Sequence, residues 1–202
     1  MTEILESNWS EKVSNDPKHR PQSLNRLSTT IRKEWCRRPQ EAHLEKDGKY
    51  RRLSVDEIAT IQGFDPTWVA VDPLTENQRI ALLGNAVPPP VSKAIGEGVY
   101  QSNYLTKKTK IEICAGIGGL SLGFDFLESI ALIESWEIAC IVLKKHFTLQ
   151  NIFEGKVQDY DFNLQKGKVG LLCGGPPCQP WSQAGNRLGQ KDPRDIMGIT
   201  PD

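Results

Sequence analysis

Lys110-Ile111-Glu112-Ile113-Cys114-Ala115-Gly116-Ile117-Gly118-Gly119-Leu120 is the stretch that decides the fold. Lys110 to Ala115 reads as a short strand, Gly116 to Gly119 as a tight turn, and Leu120 through Leu127 as the start of a helix with apolar residues at helical spacing. Strand, glycine turn and helix together open a nucleotide-type α/β fold. The glycines let backbone approach a ligand closely, and the helix N-terminus offers free amides. A second strand, Ile130 to Ile133, ends in Glu134, about twenty residues after the turn, where such folds grip ribose hydroxyls. A glycine turn alone is weak evidence for a nucleotide-like ligand; the acid at that spacing strengthens it.

Further along, Val169 to Cys173 reads as a short buried strand, broken by Gly174-Gly175-Pro176-Pro177-Cys178-Gln179-Pro180-Trp181-Ser182. Two prolines fix the backbone leading into Cys178, so its sulfur is aimed before a substrate arrives. The plain alternative is a structural cysteine in a proline-rich turn, and the rest of the chain decides against it.

The 202 residues suffice for one domain or one and a fraction. Lys and Arg number 25, as do Asp and Glu, so overall charge gives no argument for nucleic acid. Its distribution does: between Pro17 and Arg52 eleven Lys or Arg face four Asp or Glu, the excess that phosphate backbones attract, although an ordinary solvated face has the same composition. Five cysteines form no disulfide framework, and the odd count favours reduced thiols in a cytosolic setting. The Cys173/Cys178 and Cys36/His43 spacings resemble no zinc site, so no metal is expected. No apolar run reaches the length of a membrane span.

Residues 1–50 are polar and irregular, which reads as a loop-rich segment that makes no core alone. Residues 51–100 carry helical signals. Ser54 precedes Val55-Asp56-Glu57 as an N-cap, and Ile58, Ile61 and Phe64 give an apolar face ended by Gly63 and Pro66. A second helix spans Thr75 through Leu83, ending at Gly84-Asn85, and a third runs from Pro90 to about Tyr100. Gln101 to Lys110 reads as a linker, and residues 111–202 as alternating strands and helices.

Glu112 through Leu120 resembles the first motif of the DNA cytosine-5 methyltransferases, and Gly175 through Ser182 resembles their catalytic Pro-Cys loop. Two further stretches resemble motifs that close that family's sequences: Tyr50-Arg51-Arg52-Leu53-Ser54 through Gln62-Gly63-Phe64, and Gln78-Arg79 through Leu83-Gly84-Asn85-Ala86-Val87-Pro88-Pro89. Here they come first, so the resemblance implies a circular permutation joined through residues 101–110. It also implies a Rossmann-like S-adenosylmethionine-dependent methyltransferase fold of the α/β class with an incomplete sheet. The tail of a DNA target-recognition region (1–50) and the helical terminal motifs (51–100) then precede a cofactor-binding and catalytic-cysteine half-domain (111–202).

The resemblance implies the chemistry as well. In that family a cysteine thiolate adds to carbon 6 of cytosine, giving an enamine-like carbon 5 that attacks the methyl of S-adenosylmethionine; Cys178 takes that role. The target base leaves the duplex to reach it, and a loop from Ser182 to Arg194 closes over it. Gln179, Ser182 and Arg194 are the implied substrate-side residues, although a surface position remains the plain reading of Arg194. For the cofactor, Ala115, Gly116, Ile117, Gly118, Gly119 and Leu120 surround the methionine portion. Glu134 takes the ribose, with Ser135 and Trp136 beside it, and Asp159, with Asp161 as a rival, takes the adenine amino group. Pro177, Asn85 and Ala86 close the pocket. Cys114 stands where the family usually has a phenylalanine, Trp136 lies one place beyond the usual aromatic, and Gly170 replaces a common aspartate, so adenine stacking is weaker or differently supplied.

After Cys178 the family carries a Glu-Asn-Val segment and an arginine-rich motif, and neither occurs here. The expectation is a partial enzyme that methylates carbon 5 of cytosine in double-stranded DNA and needs a complementary chain or a missing C-terminal part. It would belong to a bacterial restriction-modification system, cytoplasmic and nucleoid-associated. The alternatives are a non-catalytic cofactor- or DNA-binding subunit, an inactive fragment, or a tRNA cytosine-5 methyltransferase.

Overall fold

The computed structural model describes residues 22–23, 27–37, 42–178, 180, 188–192 and 196. The chain divides into two compact units, Met1–Asn85 and Ala86–Asp202.

In the first unit, strand β1 (Gln22–Ser23) lies parallel to β2 (His43–Lys46), which pairs antiparallel with β3 (Lys49–Arg52). The β2–β3 turn is Asp47-Gly48, both at positive φ (52° and 72°), the combination that matches the twist of a two-residue hairpin. The hairpin corrects the expectation of an irregular segment, while Ile31 and Trp35 are buried in a unit where the turn Lys33–Cys36 packs against the helix at Gly84; strands this short and charged lack a period to read. Helix α1 (Val55–Gln62) begins where expected. Ser54 Oγ accepts the Glu57 amide at 3.1 Å, the Glu57 carboxylate accepts the Ser54 amide at 2.9 Å, and Gly63 closes the helix at φ 85°. Its buried face is Ile58 and Ala59 with Phe64 beyond; Ile61, expected there, is 45% exposed. Arg51, only 8% exposed, donates to both Glu57 oxygens at 2.7 and 2.6 Å. Helix α2 (Glu76–Asn85) buries Ile80, Ala81, Leu82 and Leu83.

In the second unit, helix α3 (Pro89–Gln101) leads through a short turn into β4 (Thr109–Ile113). The linker is thus shorter than expected, its two ends being absorbed into helix and strand. Strands β5 (Glu128–Glu134), β6 (Ile152–Glu154) and β7 (Leu171–Gly174) complete a parallel sheet in the order β6-β5-β4-β7. Helix α4 (Glu137–His146) connects β5 to β6, forming the crossover that parallel neighbours need. Ile111, Ile113, Ala131 and Ile133 form one side of the core with Val157 and Ile196. Leu132 packs with Leu143 and Ala115 in a second cluster.

Two expectations fail here. The helix from Leu120 to Leu127 is a single 3-10 turn, Ser121–Phe124, because β5 starts at Glu128 and leaves no room for more. The strand before Cys178 is not buried. Leu172 is 38% exposed, since β7 pairs with β4 alone among the described residues.

Candidate cofactor and nucleophile site

The ends of the parallel strands are aligned: Ile113 lies opposite both Ile133 and Gly174, and Glu134 opposite Glu154. The segments that follow β4, β5, β6 and β7 therefore all leave the sheet at one carboxyl edge, where open α/β sheets bind their ligands. Those segments carry Cys114 to Leu120, Glu134 to Trp136, Asp159, and Pro177 with Cys178.

The turn after β4 is tied to both neighbours. The Ala115 amide donates to the Ile133 carbonyl at 3.1 Å and the Gly118 amide to the Ala115 carbonyl at 2.9 Å. Gly116 and Gly118 have positive φ (57° and 83°), and a Cβ on Gly118 would be driven into the Phe147 ring. The amides of Gly119 and Leu120 have no acceptor among the described residues. Two such donors on a glycine turn suit the carboxylate of an amino-acid-like group, so this cradle fits the methionine end of S-adenosylmethionine. Cys114 itself sits at φ 54°. Burial first, then Glu134 and Glu112, push its thiol up to about 11, which keeps it protonated.

Glu134 joins the two loops. One carboxylate oxygen accepts the Gly116 amide at 2.7 Å; the other accepts the Ser135 amide at 2.8 Å and the Trp136 amide at 2.7 Å. A carboxylate offers about four acceptor positions, so one ribose hydroxyl fits beside these bonds and a second displaces one of them. From α4, the buried Cys140 thiol donates to the Glu134 carbonyl at 3.4 Å. The two acids left as rivals differ. Asp161 accepts from the Asn163 amide and side chain, each at 3.0 Å, and so caps the 3-10 turn Phe162–Gln165. Asp159 is exposed at the end of the turn Val157–Asp159, its carboxylate without a partner among the described residues. Asp159 and the second oxygen of Asp161 both remain able to accept from an amino group.

Cys178 is the exposed member of the five cysteines. Burial pushes the Cys140 and Cys173 thiols each up to about 12, so those are packing groups. Pro177 is exposed beside it, while Pro180 is buried and its carbonyl accepts the Gly189 amide at 2.8 Å. Gln179, Ser182 and Arg194 lie outside the described residues. Asn85 ends α2 in the first unit and half-buried Ala86 begins the second. Among the described residues, no group of three or more His, Cys, Asp or Glu is placed to hold a metal ion, and no helix is long and apolar enough to cross a membrane.

Sequence reasoning missed the burial of Lys110 and Glu112. They are 2% and 1% exposed, directly beneath the glycine turn. The signal was present as two charged residues at alternating positions in an otherwise apolar strand.

Compared with known proteins, the chain matches the family model described as C-5 cytosine-specific DNA methylase over residues 3–101 and 108–200. It is 42% identical over 89 residues to the type II methyltransferase M.PspPI of Psychrobacter sp. (strain TA137), covering 43% of this chain and 21% of that protein. It is 41% identical over 91 residues to M.NgoMIV of Neisseria gonorrhoeae and to M.Eco47II of Escherichia coli, covering 44% of this chain and 29% and 22% of those proteins. The matched part thus spans less than a third of each relative's length.

Proposed function

This chain belongs to the C-5 cytosine-specific DNA methylase family, and we propose that it carries the cofactor-binding and nucleophile-bearing part of an enzyme that methylates carbon 5 of cytosine in duplex DNA. The observation that carries the proposal is the shared carboxyl edge, with the glycine turn, Glu134, Asp159 and Cys178 on consecutive exits from four parallel strands.

S-adenosylmethionine, when bound, supplies an electrophilic methyl group. The amides of Gly119 and Leu120 would receive its carboxylate, Glu134 its ribose and Asp159 its adenine amino group, with Ser135, Trp136, Pro177 and Ala86 as flanking walls. The Cys178 thiolate bonds to carbon 6 of cytosine, and the displaced electron pair makes carbon 5 nucleophilic toward the methyl. Release of the carbon-5 proton to a water molecule then returns its electron pair to the ring, breaks the bond from carbon 6 to sulfur and frees the Cys178 thiolate. Gln179, Ser182 and Arg194 act on the substrate side, holding a base turned out of the duplex.

The permuted order is part of the proposal. It is supported by the order of the four motifs along the chain, the two terminal ones at residues 50–64 and 78–89 preceding the glycine turn and Cys178. The reading further takes turnover to need a Glu-Asn-Val segment and an arginine-rich motif, supplied by a complementary chain or by a C-terminal part of the same protein. The test is trapping with a duplex containing 5-fluorocytosine, in the presence of S-adenosylmethionine and a separately expressed segment bearing those two motifs. A covalent adduct that disappears in Cys178→Ser is expected. Cofactor binding without any adduct overturns the catalytic reading in favour of a binding subunit, and an adduct with tRNA in preference to DNA reassigns the substrate.

A further inference from the structure

Four buried polar side chains converge beneath the glycine turn, and the reaction outlined above uses none of them. Lys110 and Glu112 occupy alternate positions of β4, on the face opposite Ile111 and Ile113. Lys110 Nζ donates to the carbonyls of Ser121 and Phe124 at 2.9 and 2.8 Å. The Ser121 hydroxyl donates to the Glu112 carboxylate. From α3, the Ser92 hydroxyl reaches the Gly119 carbonyl at 2.8 Å, sharing its one proton with the Pro89 carbonyl of its own helix at 2.9 Å. Lys110, Glu112, Ser92 and Ser121 are each 2% exposed or less.

Burying charge is expensive, and well-packed apolar residues of similar volume commonly give equal or greater stability. What polar bonds add is direction, because a hydrogen bond fixes the position of a particular backbone atom whereas apolar packing does not. Here the atoms fixed are the carbonyls of Gly119, Ser121 and Phe124, on the chain immediately beyond the amides that receive the cofactor carboxylate. Packing reinforces the clamp: Gly123 lies against the Ser92 backbone and Gly96 against the Gly123 carbonyl, both too close for a Cβ.

We infer that Lys110, Glu112, Ser121 and Ser92 are positioning residues that hold the glycine turn in its ligand-ready shape. The inference deepens the cofactor reading above and rests on it for its ligand, but the shape of the turn can be measured without one.

The test replaces the strand network with apolar groups in the variant Lys110→Met/Glu112→Leu/Ser121→Ala of this chain. Three quantities are read: the thermal midpoint; amide exchange at Gly118, Leu122 and Gly123 without ligand; and affinity for S-adenosylhomocysteine by calorimetry. The midpoint is expected to stay level or rise, while exchange at those amides quickens at least tenfold and affinity falls at least tenfold. Unchanged exchange and affinity in the folded variant overturn the inference, because a merely structural network would leave both alone. Should the triple variant not fold, Ser92→Ala decides: faster exchange at Leu122 and Gly123 with an unchanged circular dichroism spectrum supports the clamp, and unchanged exchange overturns it. If the unaltered chain binds no S-adenosylhomocysteine, the cofactor reading fails, and the exchange data still judge the clamp.

Discussion

Among the described carboxylates, Glu112 is the one pushed up to a value near neutral pH. Burial pushes its carboxyl up to about 7, against the lowering effects of the Ser121 hydrogen bond and the Lys110 charge, with Glu134 adding to the rise. The folded state therefore holds this proton over a range in which the unfolded chain, with an ordinary carboxyl near 4.5, has lost it. Stability from this group is greatest below the unfolded value, falls as pH rises from about 4.5 to 7, and levels off above. The loss is on the order of 3 kcal/mol. Glu112→Gln keeps the shape and the acceptor but cannot titrate, so its denaturant midpoint is expected to lose this component and gain on the parent at pH 8 relative to pH 5. Equal pH profiles for the two proteins would contradict the assignment. Lys110, whose amine is lowered mainly by its own burial, faces Glu112, as do Cys173 and Glu134; Cys173 titrates far above this window.

At the scale of elements, two local devices are open to direct measurement. The Ser54–Glu57 capping box at the start of α1 is extended by the Arg51 guanidinium on the Glu57 carboxylate. Burial raises the Glu57 carboxyl, but the bonds from Arg51 and Ser54 outweigh it and hold the group below its usual range. Ser54→Ala is expected to cost about 1 kcal/mol by urea denaturation, with no change in the spectrum of the folded state; an unaltered midpoint would show that the cap is idle. In the glycine turn, Gly118→Ala meets both a left-handed backbone and the Phe147 ring. It is expected to destabilise by more than about 1 kcal/mol. A neutral outcome would mean that the turn relaxes elsewhere. These elements also show what the sequence made legible. The cap of α1 and the turn after β4 were readable because Ser-x-x-Glu and Gly-x-Gly-Gly impose local geometry by themselves. The β2–β3 hairpin and the truncated helix after Leu120 were not. Their outcome depends on pairing with a neighbour in the first case, and in the second on how soon the next strand must begin.

For the whole molecule, the residues proposed for the site could be named from motif and spacing, whereas the bonds among them could not. Glu134 was read as a ribose acid, yet it also ties Gly116 to the start of α4, a dependence between segments that no spacing rule encodes. Asp161 likewise caps the next turn through the Asn163 amide and side chain, a local bond that its distance along the chain from Cys178 does not reveal. Lys110 and Glu112 were passed over because a charged residue in a strand reads as solvated until its burial is known. The central claim is that the carboxyl edge of β4, β5 and β6 is a cofactor site organised around Glu134. Calorimetric titration of this chain with S-adenosylhomocysteine, beside its Glu134→Ala variant, tests that claim most directly. The account predicts saturable one-to-one binding that weakens at least tenfold in the variant; no binding by the parent chain, or equal affinity in the two, would contradict it.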